Sequence, residues 1–200
     1  MDDFYQWAGI LAGILSIAGY VPYIIGILQG TTRPNRATWL IWALVGGLLA
    51  FSYMQSGDAH SIWLPLGYFV GPFVTMILAF RYGYVAWSRL DTVCVVAALL
   101  SLIPWIFSHN PLMTLMINVV IDATGAIPTL IKTYQEPETE DFWAWLIFFA
   151  ANTIELFAIE TWNLASVYPV YLFFLAGFIT LFTFLDKVKK RKHAHPGRNN

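Results

Sequence analysis

The sequence predicts an all-α membrane protein with seven transmembrane helices, arranged as two parallel three-helix bundles joined by a linker helix. Three observations lead to this prediction. Apolar residues make up 58% of the 200 residues and charged residues only 12%, which is far from the balance of a soluble domain. Seven apolar segments are long enough to cross a bilayer as helices. The segments on either side of the fourth one repeat the same residue pattern 106 positions apart.

The seven apolar segments follow one another with short polar connections. A hydrocarbon core of roughly 30 Å requires about 20 apolar residues as a helix, because backbone groups in lipid must be bonded internally. The predicted helices cover residues 5–29, 37–55, 62–80, 92–107, 111–132, 142–160 and 165–185. They give a first bundle over residues 1–85, linker helix 4 over 86–110, a second bundle over 111–185 and a disordered basic cytoplasmic tail over 186–200.

The repeat relates the first three helices (the first copy) to the last three (the second copy). It pairs Gly19, Pro22, Trp39-Leu40-Ile41-Trp42 and Gly71 with Gly125, Pro128, Trp145-Leu146-Ile147-Phe148 and Gly177. Three helices end on the opposite side of the membrane from where they begin, so one extra crossing returns the second copy to the orientation of the first. The fourth helix therefore predicts parallel repeats, and such membrane folds commonly bind a solute between the copies.

The basic residues predict the orientation, because Lys and Arg collect in cytoplasmic loops. All eleven follow the first, third, fifth or seventh predicted helix: Arg33, Arg36, Arg81, Arg89, Lys132, Lys187, Lys189, Lys190, Arg191, Lys192 and Arg198. We therefore expect a protein integral to a bacterial inner membrane or a plasma membrane, with its N-terminus outside and its C-terminus in the cytoplasm. The loop acids before the sixth helix are expected to be solvated and to favour the positive end of its dipole; they are Glu136, Glu138, Glu140 and Asp141.

Four polar side chains are predicted at membrane depth. Asn118 and Asp122 share one face of the fifth helix, and Asn152 and Glu155 share one face of the sixth. Charged and amide groups in a membrane are costly, and they face a cavity or a polar partner. We expect the four to bind a solute between the bundles. The alternative is that they bond to one another or to freed backbone groups and hold the bundle together.

Aromatic residues and prolines complete the predicted site. The candidates for stacking on a ring-bearing solute are Trp39, Trp42, Tyr68, Trp145 and Tyr171, with packing or an interfacial belt as the alternative. The prolines Pro22 and Pro128 each remove an intrahelical hydrogen bond and permit a bend. They are candidate hinges for gating, with a static kink as the alternative.

The repeated pattern of a helical proline, a short turn with basic, Thr or Asn residues, and a second helix resembles the PQ-loop and SWEET/SemiSWEET transporter superfamily. The positions of that family's Pro-Gln pair read Pro22-Tyr23 and Pro128-Thr129 here. Trp39, Trp42 and the Tyr-Pro-Val-Tyr run at 168–171 are also similar to the vitamin transporters for nicotinamide riboside and related precursors, and KDEL-receptor-like cargo receptors share the layout.

The resemblance implies a transporter that moves a sugar, a vitamin or a similar small polar metabolite by alternating access. The alternative is a cargo or signal receptor of the same fold, which binds a ligand without transporting it, since fold does not fix function. The expected partners are a small-molecule solute and membrane lipid. A homo-oligomer is compatible with the sequence.

Other functions are disfavoured by what the sequence lacks. The four histidines, His60, His109, His193 and His195, fall in predicted loops or the tail, where they cannot form an intramembrane metal site. The sequence has no G-x-x-x-x-G-K phosphate loop, and the seventh predicted helix has no lysine for a retinal Schiff base before Lys187. We therefore expect no enzyme activity, no cofactor, no metal and no nucleic-acid partner.

Overall fold

The computed structural model describes residues 2–55, 63–84, 86–108 and 110–194. These residues form seven α-helices, as the sequence predicts. The helices are α1 (Asp2–Leu28), α2 (Arg36–Gln55), α3 (Trp63–Tyr82), α4 (Arg89–Phe107), α5 (Pro111–Gln135), α6 (Phe142–Phe157) and α7 (Val167–Ala194). Two short 3₁₀ turns, Pro137–Thr139 and Leu164–Ser166, precede α6 and α7.

The length and composition of these helices identify the class of protein. Within the described residues, four stretches are long and apolar enough to cross a membrane: Phe4–Leu28, Arg89–Phe107, Leu112–Gln135 and Leu164–Lys192. Three shorter apolar helical stretches cover Arg36–Phe51, Phe69–Tyr82 and Phe142–Phe157. Large apolar side chains are exposed on the outer surface, as expected where lipid replaces water. The described chain thus has the character of an all-α integral membrane protein.

Polar side chains and one glycine fix several helix ends. Asp141 accepts a hydrogen bond from the Ala144 backbone N–H at 2.7 Å and caps α6. Ser88 and Asp91 form a capping box at the start of α4. These oxygens satisfy N–H groups that the first turn of a helix leaves unpaired. Gly30 has a φ of 74°, which a glycine adopts without strain, and it lets the chain turn away from the end of α1.

Several contacts recur between helices that the sequence repeat matches. Helix α3 contacts both α1 and α2, and α7 contacts both α5 and α6. Helix α1 packs against α6, and α2 packs against α5. When α5–α7 are matched to α1–α3, each of these contacts therefore occurs twice. Helix α4, which has no counterpart in the repeat, contacts α5 and α2.

Two glycines of the repeat lie at close contacts between the copies. A Cβ atom added to Gly19 of α1 would lie 2.5 Å from the Phe148 ring of α6. One added to Gly125 of α5 would lie 2.7 Å from Ile41 Cγ2 of α2. Real Cβ atoms do not approach other atoms so closely without a shift in packing. The repeated glycines therefore allow close contact in the two matched helix pairs, α1 with α6 and α5 with α2.

Helix α7 is longer than the sequence predicted. It continues to Ala194, so the expected disorder of the tail is wrong for residues 186–194. Asp186 forms an ion pair with Lys190 at 2.7 Å across one turn, and Lys and Arg are good helix formers. Residues 195–200 lie outside the described residues.

Candidate functional site

A cavity of about 600 Å³ lies between helices of the two copies. Its walls come from α1, α2, α6 and α7, with Asp122 of α5 and Pro72 of α3. Six of the nine predicted binding residues line it: Trp39, Trp42, Asp122, Trp145, Asn152 and Glu155. Small-molecule sites typically measure about 300–1,000 Å³, so this cavity has room for a metabolite.

Asp122 is buried in the wall, with 6% of its surface exposed. The Tyr171 hydroxyl donates to Asp122 Oδ2 at 2.7 Å, and the Tyr168 hydroxyl donates to Oδ1 at 3.3 Å. Trp42 Nε1 donates to the backbone carbonyl of Asp122 at 3.2 Å. Helices α2, α5 and α7 therefore meet at Asp122, and Tyr171, which is not a lining residue, positions this carboxylate from behind.

The second pair of predicted polar residues lies on α6. Asn152 Nδ2 donates to the Phe148 backbone carbonyl at 2.8 Å, which commits one amide hydrogen to its own helix. Glu155, one turn further along, is half-buried and lines the cavity. Within the described part of the chain, its carboxylate has no hydrogen-bond or ion-pair partner. A carboxylate facing a cavity without a protein partner is available to a ligand.

The predicted binding residue Asn118 is buried away from the cavity. Asn118 is 3% exposed and lies outside the cavity lining, and its Oδ1 has no hydrogen-bond partner among the described residues. The four polar groups expected to converge are thus reduced to three at the cavity surface. The side chain of Tyr68 lies outside the described residues.

Aromatic rings close the cavity toward the starts of α2 and α6. We call this layer the aromatic floor; it consists of Tyr20, Trp39, Trp42, Trp145 and Phe148. The ring centroids of Trp39 and Trp42 lie 5.0 Å apart, and those of Trp42 and Trp145 lie 6.3 Å apart. These rings meet edge to face, which is the favoured geometry for packed aromatics. Trp39 and Trp145 are equivalent positions of the repeat, so both copies contribute the same residue to the floor.

A buried ion pair lies beyond the aromatic floor, at the end of the molecule where α1 ends and α2 begins. We call this the basic end. Lys132 Nζ lies 2.6 Å from Glu140 Oε1, and their side chains are 5% and 0% exposed. The prediction that Glu140 is a solvated loop acid is therefore wrong. The cost of burying this carboxylate is offset by its pairing with Lys132 and by the hydrogen bonds that it accepts.

Hydrogen bonds connect this ion pair to the first copy. The Tyr23 hydroxyl of α1 donates to Glu140 Oε2 at 2.8 Å, and Lys132 Nζ donates to the Arg33 carbonyl at 2.5 Å. Trp145 Nε1 also donates to Glu140 Oε2, at 2.8 Å. Lys132 and Glu140 belong to the second copy, whereas Tyr23 and Arg33 belong to the first. We call Tyr23, Lys132 and Glu140 the lock.

Further bonds join the copies at the basic end. The Thr129 hydroxyl donates to the Thr38 hydroxyl at 2.9 Å, and both residues are completely buried. The Tyr84 hydroxyl, in the loop after α3, donates to Glu136 Oε1 at 2.5 Å. This hydrogen bond raises the pKa of the Tyr84 phenol above its ordinary value, because it stabilises the protonated form beside a carboxylate. Several hydrogen bonds therefore join the two copies at this end.

Neither candidate hinge proline lines the cavity, although each precedes a residue that bonds across the copies. Pro22 is followed by Tyr23, which donates to Glu140, and Pro128 is followed by Thr129, which donates to Thr38. Both prolines lie inside helices, in α1 and α5. A bend at either proline would therefore move a residue that joins the two copies at the basic end.

Sequence reasoning missed two groups of site residues. Tyr168 lines the cavity and bonds to Asp122, and its spacing of three residues from Tyr171 was a usable signal for one helix face. The lock residues Tyr23 and Glu140 lie 117 positions apart, and no local pattern connects them. Only the packing of α1 against α6 brings them together.

No three His, Cys, Asp or Glu side chains of the described ranges come close enough to hold a metal ion. Comparison of the chain with protein-family models, with curated proteins and with solved structures gave no match. The resemblance to PQ-loop and vitamin transporters therefore remains a prediction from the sequence.

Proposed function

We propose that the chain is an integral membrane transporter that moves a small polar solute by alternating access through the cavity between its two copies. The copies are parallel three-helix bundles, α1–α3 and α5–α7, and α4 links them. The N-terminus lies outside and the basic end faces the cytoplasm, in accordance with the positions of Lys and Arg. No catalytic step is part of the proposal.

Support for the two-bundle arrangement comes from the matched contacts. The pairs α1–α3 and α2–α3 have counterparts in α5–α7 and α6–α7, and α1–α6 has its counterpart in α5–α2. The close approaches at Gly19 and Gly125 are matched in the same way. Two similar bodies that meet along a shared surface are what a rocking movement of one body against the other requires.

The observation that carries the proposal is a cavity with polar groups from the second copy and a closure that both copies build at one end. The cavity extends from the aromatic floor to Glu155, near the end of α6, and to Tyr168, at the start of α7. At the basic end it is closed by the aromatic floor and, behind it, by the lock. In the proposed cycle, this is the state with the cytoplasmic end closed, and a solute passes when the lock opens.

A flux measurement tests the proposal. Purified protein is first screened by thermal shift against sugars, vitamins, nucleosides, amino acids and organic amines, and solutes that stabilise it are then tested for entry into proteoliposomes. We expect saturable entry of at least one stabilising solute. A solute that binds but never crosses the bilayer would instead support the receptor alternative.

A matched pair of variants shows whether the flux uses this cavity. Gly13 lines the cavity, and a Cβ atom added there meets no atom within 4 Å, so Gly13→Trp fills the space without a backbone clash. Val21 is on the same helix, is 59% exposed and is not a lining residue, so Val21→Trp is the control. We expect Gly13→Trp to abolish flux and Val21→Trp to retain it. Equal flux in both variants would contradict the proposed pathway.

A further inference from the structure

The cavity surface is rich in hydrogen-bond acceptors. Asp122 and Glu155 present carboxylates, and Asn152, whose Nδ2 is bonded to its own helix, keeps its Oδ1 as an acceptor. Among the lining residues of the described chain there is no Lys, Arg or His. Lys132 is not a lining residue and is paired with Glu140 behind the aromatic floor. The lining therefore carries acidic groups without a basic one.

The indole donors and the Tyr168 and Tyr171 hydroxyls around the cavity are already engaged, whereas the Ser16 hydroxyl and the second amide hydrogen of Asn152 remain as donors. Each lining tryptophan donates its indole N–H to a protein oxygen: Trp39 to Tyr23 Oη, Trp42 to the Asp122 carbonyl and Trp145 to Glu140 Oε2. The hydroxyls of Tyr168 and Tyr171 donate to the Asp122 carboxylate. An indole has a single donor and no acceptor, so these tryptophans offer a solute only their rings.

The acceptor groups of the lining and the absence of a lining cation among the described residues discriminate between classes of solute. Sugar hydroxyls both donate and accept, and those that lose water without finding a protein donor cost binding free energy. An anion would meet two carboxylates and no lining cation, which disfavours it electrostatically. A cation, in contrast, is attracted by the carboxylates and can donate to the three acceptors.

The aromatic floor points to the same class of solute. The face of an aromatic ring attracts a cation, most strongly for tryptophan and in a site shielded from water. In the floor, Tyr20, Trp42 and Phe148 keep part of their ring surface exposed, and Trp39 and Trp145, which are 1% and 4% exposed, pack behind them. Rings combined with carboxylates bind the hydrocarbon part and the charge of an organic cation together. A bare metal ion would use neither the rings nor the size of the cavity.

We infer that the solute of this cavity is a small organic cation, such as a quaternary ammonium or an amidinium compound. The inference rests on the proposed function for the choice of the site, and it adds the chemical class of the ligand.

The test compares cations with neutral molecules of the same shape. Binding of choline and of 3,3-dimethylbutan-1-ol, and of benzamidine and of benzamide, is measured by calorimetry on the purified full chain in detergent at fixed ionic strength. We expect at least one cation to bind about tenfold or more tightly than its neutral counterpart. If neither cation is preferred over its neutral counterpart, or if none of the four compounds binds, the inference is overturned.

Two further variants assign the preference to the cavity. Glu155→Gln keeps the shape of the side chain and removes its charge, and we expect it to reduce the preference for the cation about tenfold with little change for the neutral molecule. Glu160→Gln is the control, because Glu160 is exposed and is not a lining residue. An equal preference in both variants and in Asp122→Asn would overturn the assignment to this cavity.

These experiments test the ligand class and the transport function separately. A cation that binds with this preference but does not cross proteoliposome membranes would support the ligand class and contradict transport. A neutral sugar that crosses, in a protein without preference for cations, would support transport and contradict the ligand class.

Discussion

The substitution Tyr23→Phe tests the lock with the smallest available change. Tyr23 is completely buried, and its hydroxyl donates to Glu140 Oε2 at 2.8 Å. Phenylalanine preserves the ring and its packing while removing this bond between the copies and, within the first copy, the acceptor of the Trp39 indole N–H. The ion pair of Lys132 with Glu140 lies within the second copy and is left intact. The substitution therefore weakens the closed basic end, whereas the lost Trp39 hydrogen bond lies within the first copy and affects the open and closed states alike.

The size of the effect follows from the type of hydrogen bond. A hydrogen bond to a charged group contributes about 1.5–3 kcal/mol. Because the bond joins the two copies, it is present when the basic end is closed and lost when the copies separate there. A loss of about 2 kcal/mol raises the ratio of open to closed molecules about thirtyfold.

The assay measures access to the cavity from the basic end. Ser16 lines the cavity, and Ser16→Cys in a Cys94→Ser background provides a single thiol. While the closed state dominates, labelling by a membrane-impermeant maleimide from the basic side is proportional to the open fraction. We expect Tyr23→Phe to speed this labelling about thirtyfold, with a range set by the strength of the bond.

A control and a second readout make the result decisive. Tyr134→Phe serves as the control, because Tyr134 is 71% exposed on α5 and takes no part in the lock. Labelling of the same cysteine from the opposite side reports whether the protein is still folded, and we expect it to stay nearly constant. If labelling from the basic side is as slow in Tyr23→Phe as in Tyr134→Phe, the reasoning about the lock is refuted.

Two further predictions concern stability, measured as thermal unfolding in detergent. Gly19→Ala is expected to lower the free energy of unfolding by about 1–3 kcal/mol, because the added methyl group meets the Phe148 ring at 2.5 Å. Gly13→Ala is the control: its methyl group meets no atom within 4 Å, so the free energy of unfolding is expected to stay unchanged or to rise. Equal losses would contradict the close approach of α1 and α6. Glu140→Gln is expected to lower the free energy of unfolding by about 3–5 kcal/mol, because it leaves Lys132 buried without its partner charge. The double variant with Lys132→Met is expected to lose less stability than the sum of the losses in the two single variants. Strictly additive losses would show that the two charges do not interact.

The sequence predicted the helices well because a membrane imposes a simple rule. A stretch that crosses lipid must be apolar and helical over its whole length, so composition alone indicates the number of helices. The same physics made Asp122, Asn152 and Glu155 recognisable, since polar groups are rare at this depth. Their placement at one cavity agrees with the helical spacing that predicted a shared face on α6.

The sequence could not predict what depends on packing between distant helices. Glu140 is one of four acids in a short polar loop, and only the position of Lys132 and Tyr23 around it makes it a buried ion-pair residue. Asn118 shares a helical face with Asp122, but a difference of one turn leaves it outside the cavity lining. Periodicity indicates a face, whereas the depth of a cavity depends on how the neighbouring helices meet.

The central claim is that the two copies must separate at the basic end for a solute to pass. The hydroxyls of Thr38 and Thr129 lie 2.9 Å apart across the copies, so cysteines at these positions are close enough for a disulfide. In a Cys94→Ser background, we expect oxidation of the Thr38→Cys and Thr129→Cys double variant to stop solute flux in proteoliposomes. Reduction is expected to restore the flux, and each single variant is expected to be insensitive to oxidation. Undiminished flux through fully cross-linked protein would contradict the claim.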